Sequence, residues 1–168
     1  MLIVLGGLPG TGKTAIAREL VVRSPSAYLR IDTIEQALRK VSALEEVDPA
    51  GYVLAYELAK SNLALGMTVV ADCVNPLSVT REAWRAVATS TSSGLLEVEV
   101  VCSDAVEHRR RVESRSADIP GLTLPTWEAV LRREYEAWTT TRLVIDSALF
   151  DASQAANLIM ERLRGRAA

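Results

Sequence analysis

The chain has 168 residues, the size of about one domain on a rule of roughly 150 residues each. Its 49% apolar and 24% charged composition excludes collagen-like, low-complexity and largely disordered classes. A net charge of -2 excludes the global basic field that grips long nucleic acid, and no apolar run approaches the roughly 20 residues of a membrane span.

Apolar runs and helical patterns alternate along the chain, the order of an α/β domain with a mainly parallel sheet. The first predicted strand, Leu2–Leu5, runs into glycines, and a helix over Thr14–Val22 follows them. The second strand covers Ala27–Ile31 and ends at Asp32. Asp48 is placed to cap the next helix, with Pro49 at its first position and Gly66 closing it. A third strand spans Thr68–Ala71, and Ser78 is expected to cap a helix reaching about Ser90. The fourth, Leu95–Val101, alternates Leu96, Val98 and Val100 with Glu97 and Glu99, which predicts exposure on one face. Asp104 and Glu107 have capping-box spacing. Thr126 begins a helix on which Trp127, Val130, Leu131 and Trp138 fall near one stripe. A fifth strand, Arg142–Ile145, precedes a last helix marked by Ala155, Leu158, Ile159 and Leu163. Ser116–Pro125 carries Pro120, Gly121 and Pro125 and reads as a functional loop.

Cys73 and Cys102 lie in or beside apolar runs and are expected to be small buried residues. With His108 the sole histidine and no CxxC spacing, a zinc site is not expected. Trp84, Trp127 and Trp138 read as packing residues, while Tyr52 and Tyr56, one turn apart, are candidates to border a substrate pocket. The N-terminal run Leu2–Leu5 does not read as a signal peptide, and a cytoplasmic location is expected.

The strongest signal is Gly7-Leu8-Pro9-Gly10-Thr11-Gly12-Lys13-Thr14, which fits G-x-x-x-x-G-K-[ST] between a strand and a helix. Glycines let backbone N–H groups approach phosphate oxygens, and the helix points its positive end at the same place. Lys13 reaches β- and γ-phosphates, and the Thr14 hydroxyl is a Mg²⁺ ligand.

On these residues the chain resembles the P-loop NTPase superfamily, and within it the small kinases: chloramphenicol phosphotransferase, zeta toxins, polynucleotide kinase and the nucleoside monophosphate kinases. The resemblance implies a three-layer fold over residues 1–168 as a single domain. It has a five-stranded parallel sheet ordered 2-3-1-4-5, helices on both faces and a short lid over about residues 105–126. ATP and Mg²⁺ are the implied cofactors, with the acceptor between the second strand's end and the lid.

Asp32, at a strand's carboxyl end, is positioned to take a proton from an acceptor hydroxyl, as the corresponding Asp does in the phosphotransferase and toxin relatives; otherwise it caps a helix starting at Thr33. Asp72, after Val69-Val70-Ala71, has the Walker B form and is a metal ligand with Thr14, a substrate contact, or a turn cap. Asp146 reads as structural. Arg111 and Arg115 share a helix face and match the R-x-x-x-R of lid helices; Arg109 and Arg110 project elsewhere. Ion pairs of Glu107 with Arg111 and of Arg109 with Glu113 are the solvated alternative.

The acceptor pocket is expected over Thr33–Val47 and the lid, with Asp32, Glu35 and Arg39 as substrate-binding residues. Monophosphate kinases carry an arginine three residues after the Asp, where this chain has Glu35. With Glu45, Glu46 and Asp48 nearby, the region reads as acidic and favours a neutral or cationic hydroxyl compound. The expected activity is an ATP-dependent kinase acting on the hydroxyl of a small molecule, as a monomer or homodimer without membrane or nucleic-acid partners. The alternatives are a nucleotide-binding regulatory module with little turnover, a toxin-like kinase acting on a nucleotide-sugar, and a nucleic-acid 5′-end kinase.

Overall fold

The computed structural model describes residues 1–42 and 49–167. In chain order the elements are β1 (Leu2–Gly6), α1 (Lys13–Arg23), β2 (Ser26–Arg30), α2 (Ile31–Ser42), α3 (Ala50–Ala64), β3 (Thr68–Asp72), α4 (Ser78–Ser90), β4 (Leu95–Val101), α5 (Ala105–Ser114), α6 (Trp127–Arg132), β5 (Leu143–Asp146) and α7 (Ala152–Ala167). The strands form one parallel sheet ordered β2-β3-β1-β4-β5, as the resemblance implied. Side chains alternate across a strand, so β1 feeds both faces. Ile3 and Leu5 pack with Ile16, Leu20 and Ile159 of α1 and α7. Leu2 and Val4 pack with Ala55, Ala59 and Trp84 of α3 and α4. This double burial is why β1 and β3 read as unbroken apolar runs. Among the described residues, no helix is long and apolar enough to cross a membrane.

Several expectations need correction. Glu97 and Glu99 do not face solvent: they are 7% and 8% exposed. Arg85 donates to both oxygens of Glu97, at 3.0 Å each, and Arg142 and Tyr135 donate to Glu99. The alternation therefore marks a face covered by ion pairs, which only cross-element partners reveal. Ser78 is the first residue of α4 rather than its cap, and its N–H donates to Glu136. Pro49 sits at the N-cap of α3, one place earlier than expected, and Asp48 lies outside the described residues. Asp104 caps α5 by accepting from Val106 and Glu107, but the Glu107 side chain turns to Arg110 and Arg111 instead of closing a capping box. Thr126 does cap α6, yet that helix stops at Arg132. Leu131 is exposed, and Trp138 packs beyond the helix against the Arg81 guanidinium, 4.2 Å from its ring centre. Cys73 is buried as expected; Cys102 is only partly so.

Arg81 explains how the segment after α6 is held. Its guanidinium donates to the carbonyls of Asn75, Pro76, Glu136 and Ala137 and is 2% exposed. A buried charge is tolerable when its donors are met, and Arg81 ties the β3–α4 turn to the chain leading into β5.

Candidate active site

In an open parallel sheet, ligands sit at the carboxyl ends of the strands where the winding reverses. Here the reversal lies beside β1, flanked by β3 and β4, and the loop after β1 is the glycine-rich one. Gly12 is the N-cap of α1 with φ 92°, a left-handed conformation natural to glycine. No side chain caps that helix, so its first N–H groups face the loop. The Gly7 N–H donates to Val74 O at 2.9 Å, fixing the loop's start to the chain after β3. The Leu8 carbonyl accepts from Thr11 Oγ1 at 2.9 Å and from Lys13 Nζ at 2.8 Å. Burial lowers the Lys13 pKa, opposed by the charges of Asp72 and Asp32. The ammonium is thus held inside a preformed anion cradle.

At the end of β3, Asp72 is 4% exposed and its Oδ2 accepts from Thr14 Oγ1 at 2.7 Å and from the Tyr28 hydroxyl at 2.8 Å. A hydroxyl and a carboxylate in contact beside a phosphate cradle form a hard oxygen donor set that fits Mg²⁺. Burial, then the Asp72 charge, raises the Tyr28 pKa, so the phenol stays a donor.

A cleft of about 710 Å³ runs from this cradle to α2 and the loop after α5. Asp32, Glu35, Arg39, Arg111 and Arg115 all line it. Every site residue predicted from the motifs outside the loop therefore borders one cavity. Two details differ from expectation. β2 ends at Arg30, so Asp32 lies in the first turn of α2 instead of ending the strand or capping a helix at Thr33. Its side chain stays 48% exposed, close to a guanidinium nitrogen of Arg30 at 3.5 Å. The acidic reading of the acceptor end also changes. Among the described lining residues, Lys13, Arg30, Arg39, Arg111, Arg115 and Arg133 outnumber Asp32, Glu35 and Asp72. Glu45, Glu46 and Asp48, on which that reading leaned, lie outside the described residues, as do residues 43–47 of the expected pocket wall.

The helix face expected to carry both Arg111 and Arg115 does not form, because α5 ends at Ser114, and both ion pairs of the solvated alternative, Glu107 with Arg111 and Arg109 with Glu113, are present. Arg109 pairs with Glu113 and Arg110 with Glu107, both facing solvent. Arg111 donates to Glu107 and to Ser147 Oγ and O, which holds it against the cleft. Hydrogen bonds from Arg110 and Arg111 bring the Glu107 carboxyl down to about 2. Arg115 is the C-cap residue of α5; its Nε is buried with no hydrogen-bond partner among the described residues. Burial lowers its pKa, opposed mainly by Asp32. A half-buried, partly unsatisfied guanidinium on a cleft wall is suited to an anionic ligand. Asp146 accepts from the N–H groups of Ser103 and Ala148, in keeping with a structural role. Tyr52 and Tyr56 do not line the cleft: the Tyr52 hydroxyl accepts from Asn75 N, and the Tyr56 hydroxyl donates to Thr80 O.

Sequence reasoning missed Arg30, Asp118 and His108. Arg30 interrupts the otherwise apolar run Ala27–Ile31, two residues before Asp32, and that break in pattern was a readable signal. Its guanidinium donates to Asp118 at 2.7 Å, and Arg18 donates to the same oxygen. Burial opposes the Arg30 charge, but Asp118 and Asp72 outweigh it and raise its pKa. Asp118 lies in the loop after α5, so the loop is tied to both β2 and α1; Gln36 adds a weaker bond to Pro120 O.

A glycine-rich anion cradle at the sheet's reversal point, with a buried hydroxyl–carboxylate pair beside it, defines a P-loop NTPase. The chain belongs to the AAA domain family (AAA_33), whose model matches residues 2–136. No curated protein sequence matches it. Among solved structures it is similar to the Mycobacterium tuberculosis APS kinase CysC in complex with AMPPNP and APS, at 18% identity, 97% of this chain and 96% of that one, TM-score 0.69. It is also similar to Chaetomium thermophilum Kti12 in complex with ADP-AlF3 (20%, 98% and 98%, TM-score 0.69) and to a gluconokinase from Sinorhizobium meliloti 1021 (18%, 99% and 97%, TM-score 0.63). At these identities the likeness is one of fold.

Proposed function

We propose that this protein is an ATP-dependent kinase that transfers the γ-phosphate to a hydroxyl of a small molecule. The observation that carries this reading is the cleft that Pro9, Gly10, Gly12, Lys13 and Thr14 of the cradle line together with Asp32 and Arg115. Asp32 can take the proton of an acceptor hydroxyl, and the cleft beyond the cradle leaves room for such an acceptor. The kinases among the structural neighbours support the same reading.

In this mechanism the loop amides and Lys13 hold the polyphosphate, and Lys13 leaves the Leu8 carbonyl for a phosphate oxygen. Thr14 and Asp72 would hold Mg²⁺, which supplies charge neutralisation on the β- and γ-phosphates. Asp32 accepts the proton of the acceptor hydroxyl as its oxygen attacks the γ-phosphorus and the β–γ bridging bond breaks, leaving ADP. Arg115 and Arg111 stabilise charge on the transferring group, and the loop over residues 115–126 excludes water. Glu35 and Arg39 form the acceptor's wall on α2. Little covalent work falls to the protein, so positioning supplies most of the rate.

Incubation with γ-labelled ATP and a panel of sugars, amino-sugars, alcohols and nucleotides tests the reading. Label appearing in a phosphate ester supports it. Release of orthophosphate alone across a broad metabolite extract would favour a nucleotide-binding module with slow turnover, a reading to which the likeness to Kti12 lends some support.

A further inference from the structure

We infer that His108 is a positioning residue of the phosphate cradle: its ring holds the Pro9 carbonyl and thereby aims the Gly10 N–H into the cleft. The inference rests on the nucleotide reading above and adds to it a residue outside the loop and outside the cleft wall.

His108 sits in the first turns of α5, and its Nε2 lies 2.8 Å from Pro9 O. A carbonyl oxygen only accepts, so Nε2 carries the hydrogen. The ring is 7% exposed and meets the edge of Trp127 with centroids 5.1 Å apart at 83°. Asp104 caps α5 and accepts the His108 backbone N–H at 2.9 Å, so the helix and the indole both fix where the ring points.

The consequence follows from peptide geometry. In a planar trans peptide the C=O and the next N–H point in opposite directions. Pro9 and Gly10 line the cleft and His108 does not. Drawing the Pro9 oxygen toward His108 therefore turns the Gly10 N–H toward the polyphosphate. Pro9 has no N–H of its own, which makes the Gly10 amide the donor at this point of the loop. The packing enforces the same pose. Gly10 has φ 86°, and a Cβ there would stand 2.5 Å from Val112 Cγ2 and 3.3 Å from the His108 ring. The helix that carries Arg111 and leads into Arg115 is thus seated directly on the loop it serves.

The test uses the full chain, with inorganic tripolyphosphate and Mg·ATP as titrants in calorimetry. His108→Leu keeps apolar bulk and removes the donor. His108→Gln places an amide N–H near the position of Nε2. His108→Leu is expected to weaken both titrants by roughly tenfold, and His108→Gln to recover most of the loss. Equal affinity in wild type and His108→Leu overturns the inference, and so does a loss that His108→Gln fails to recover, because that marks mere packing. Should His108→Leu not fold, His108→Phe, which keeps a flat ring and removes the donor, takes its place with the same expected loss. With ¹⁵N-glycine labelling, the Gly10 amide resonance is expected to shift as tripolyphosphate saturates, and a Gly10 amide that stays put overturns the proposal. A wild type that binds neither titrant is a different failure, that of the nucleotide reading itself.

Discussion

The two ends of the cleft are built in different ways. The cradle end is fixed by backbone: Gly7 on Val74, Leu8 on Thr11 and Lys13, and the uncapped start of α1. The other end, where the proposed function seats the acceptor, is fixed by side-chain charges from separate elements: Arg30 of β2, Arg18 of α1 and Asp118 of the loop, with Arg39 near Glu35 on α2. Hydrogen-bonded backbone in a buried loop is rigid, whereas partly exposed ion pairs are individually weak and exchange partners readily. On the proposed function, a fixed polyphosphate site would face an adjustable acceptor wall.

Perturbing each end should have a distinct signature. The largest effect is expected at the cradle: Lys13→Ala should lower phosphate transfer by roughly a thousandfold or more and weaken nucleotide binding with it. Steady-state kinetics and a nucleotide titration check both. Asp32→Asn should cost about a hundredfold in kcat with nucleotide affinity nearly unchanged, since the amide cannot take the proton. Equal loss of nucleotide affinity would erase the distinction between the two ends. Smaller still is Asp118→Ala, which unties the loop from Arg18 and Arg30. The acceptor KM should rise about twofold to fivefold while the nucleotide Kd holds.

The last prediction is an invariance. Hydrogen bonds from Arg30 and Arg18 depress the Asp118 carboxyl to about 2 from an ordinary 3.8. A depressed carboxyl contributes its tie above the ordinary range and loses it only as pH falls through about 2. The acceptor KM should therefore show no loop-linked change between about pH 5 and pH 8. A KM climbing steadily over that window would mean a different group controls the loop.

The same contrast explains what the sequence disclosed. The cradle was legible because its chemistry is contiguous: nine residues, Gly6–Thr14, carry the turn, the helix start, the ammonium and the hydroxyl. The sheet order came with it, through resemblance. Asp32 and Asp72 were legible as carboxylates closing apolar runs, although Asp32 proved to open a helix. Glu97 and Glu99 misled because alternation reports sidedness, not exposure, and Arg85 and Arg142 arrive from distant positions. His108 was invisible as a loop partner because it is 99 residues from Pro9 and matches no motif. Asp118 gave no local signal either: a lone carboxylate in a polar loop gains meaning only when Arg18 and Arg30 converge on it.

The central claim is that residues 7–14 bind the polyphosphate of a nucleotide with Lys13 as its cation. Calorimetric titration of the wild type and Lys13→Ala with Mg·ATP tests it most directly. Saturable binding to one site in the wild type, abolished or reduced by orders of magnitude in Lys13→Ala, is the expected result. No heat in the wild type, or the same isotherm from both proteins, would contradict it.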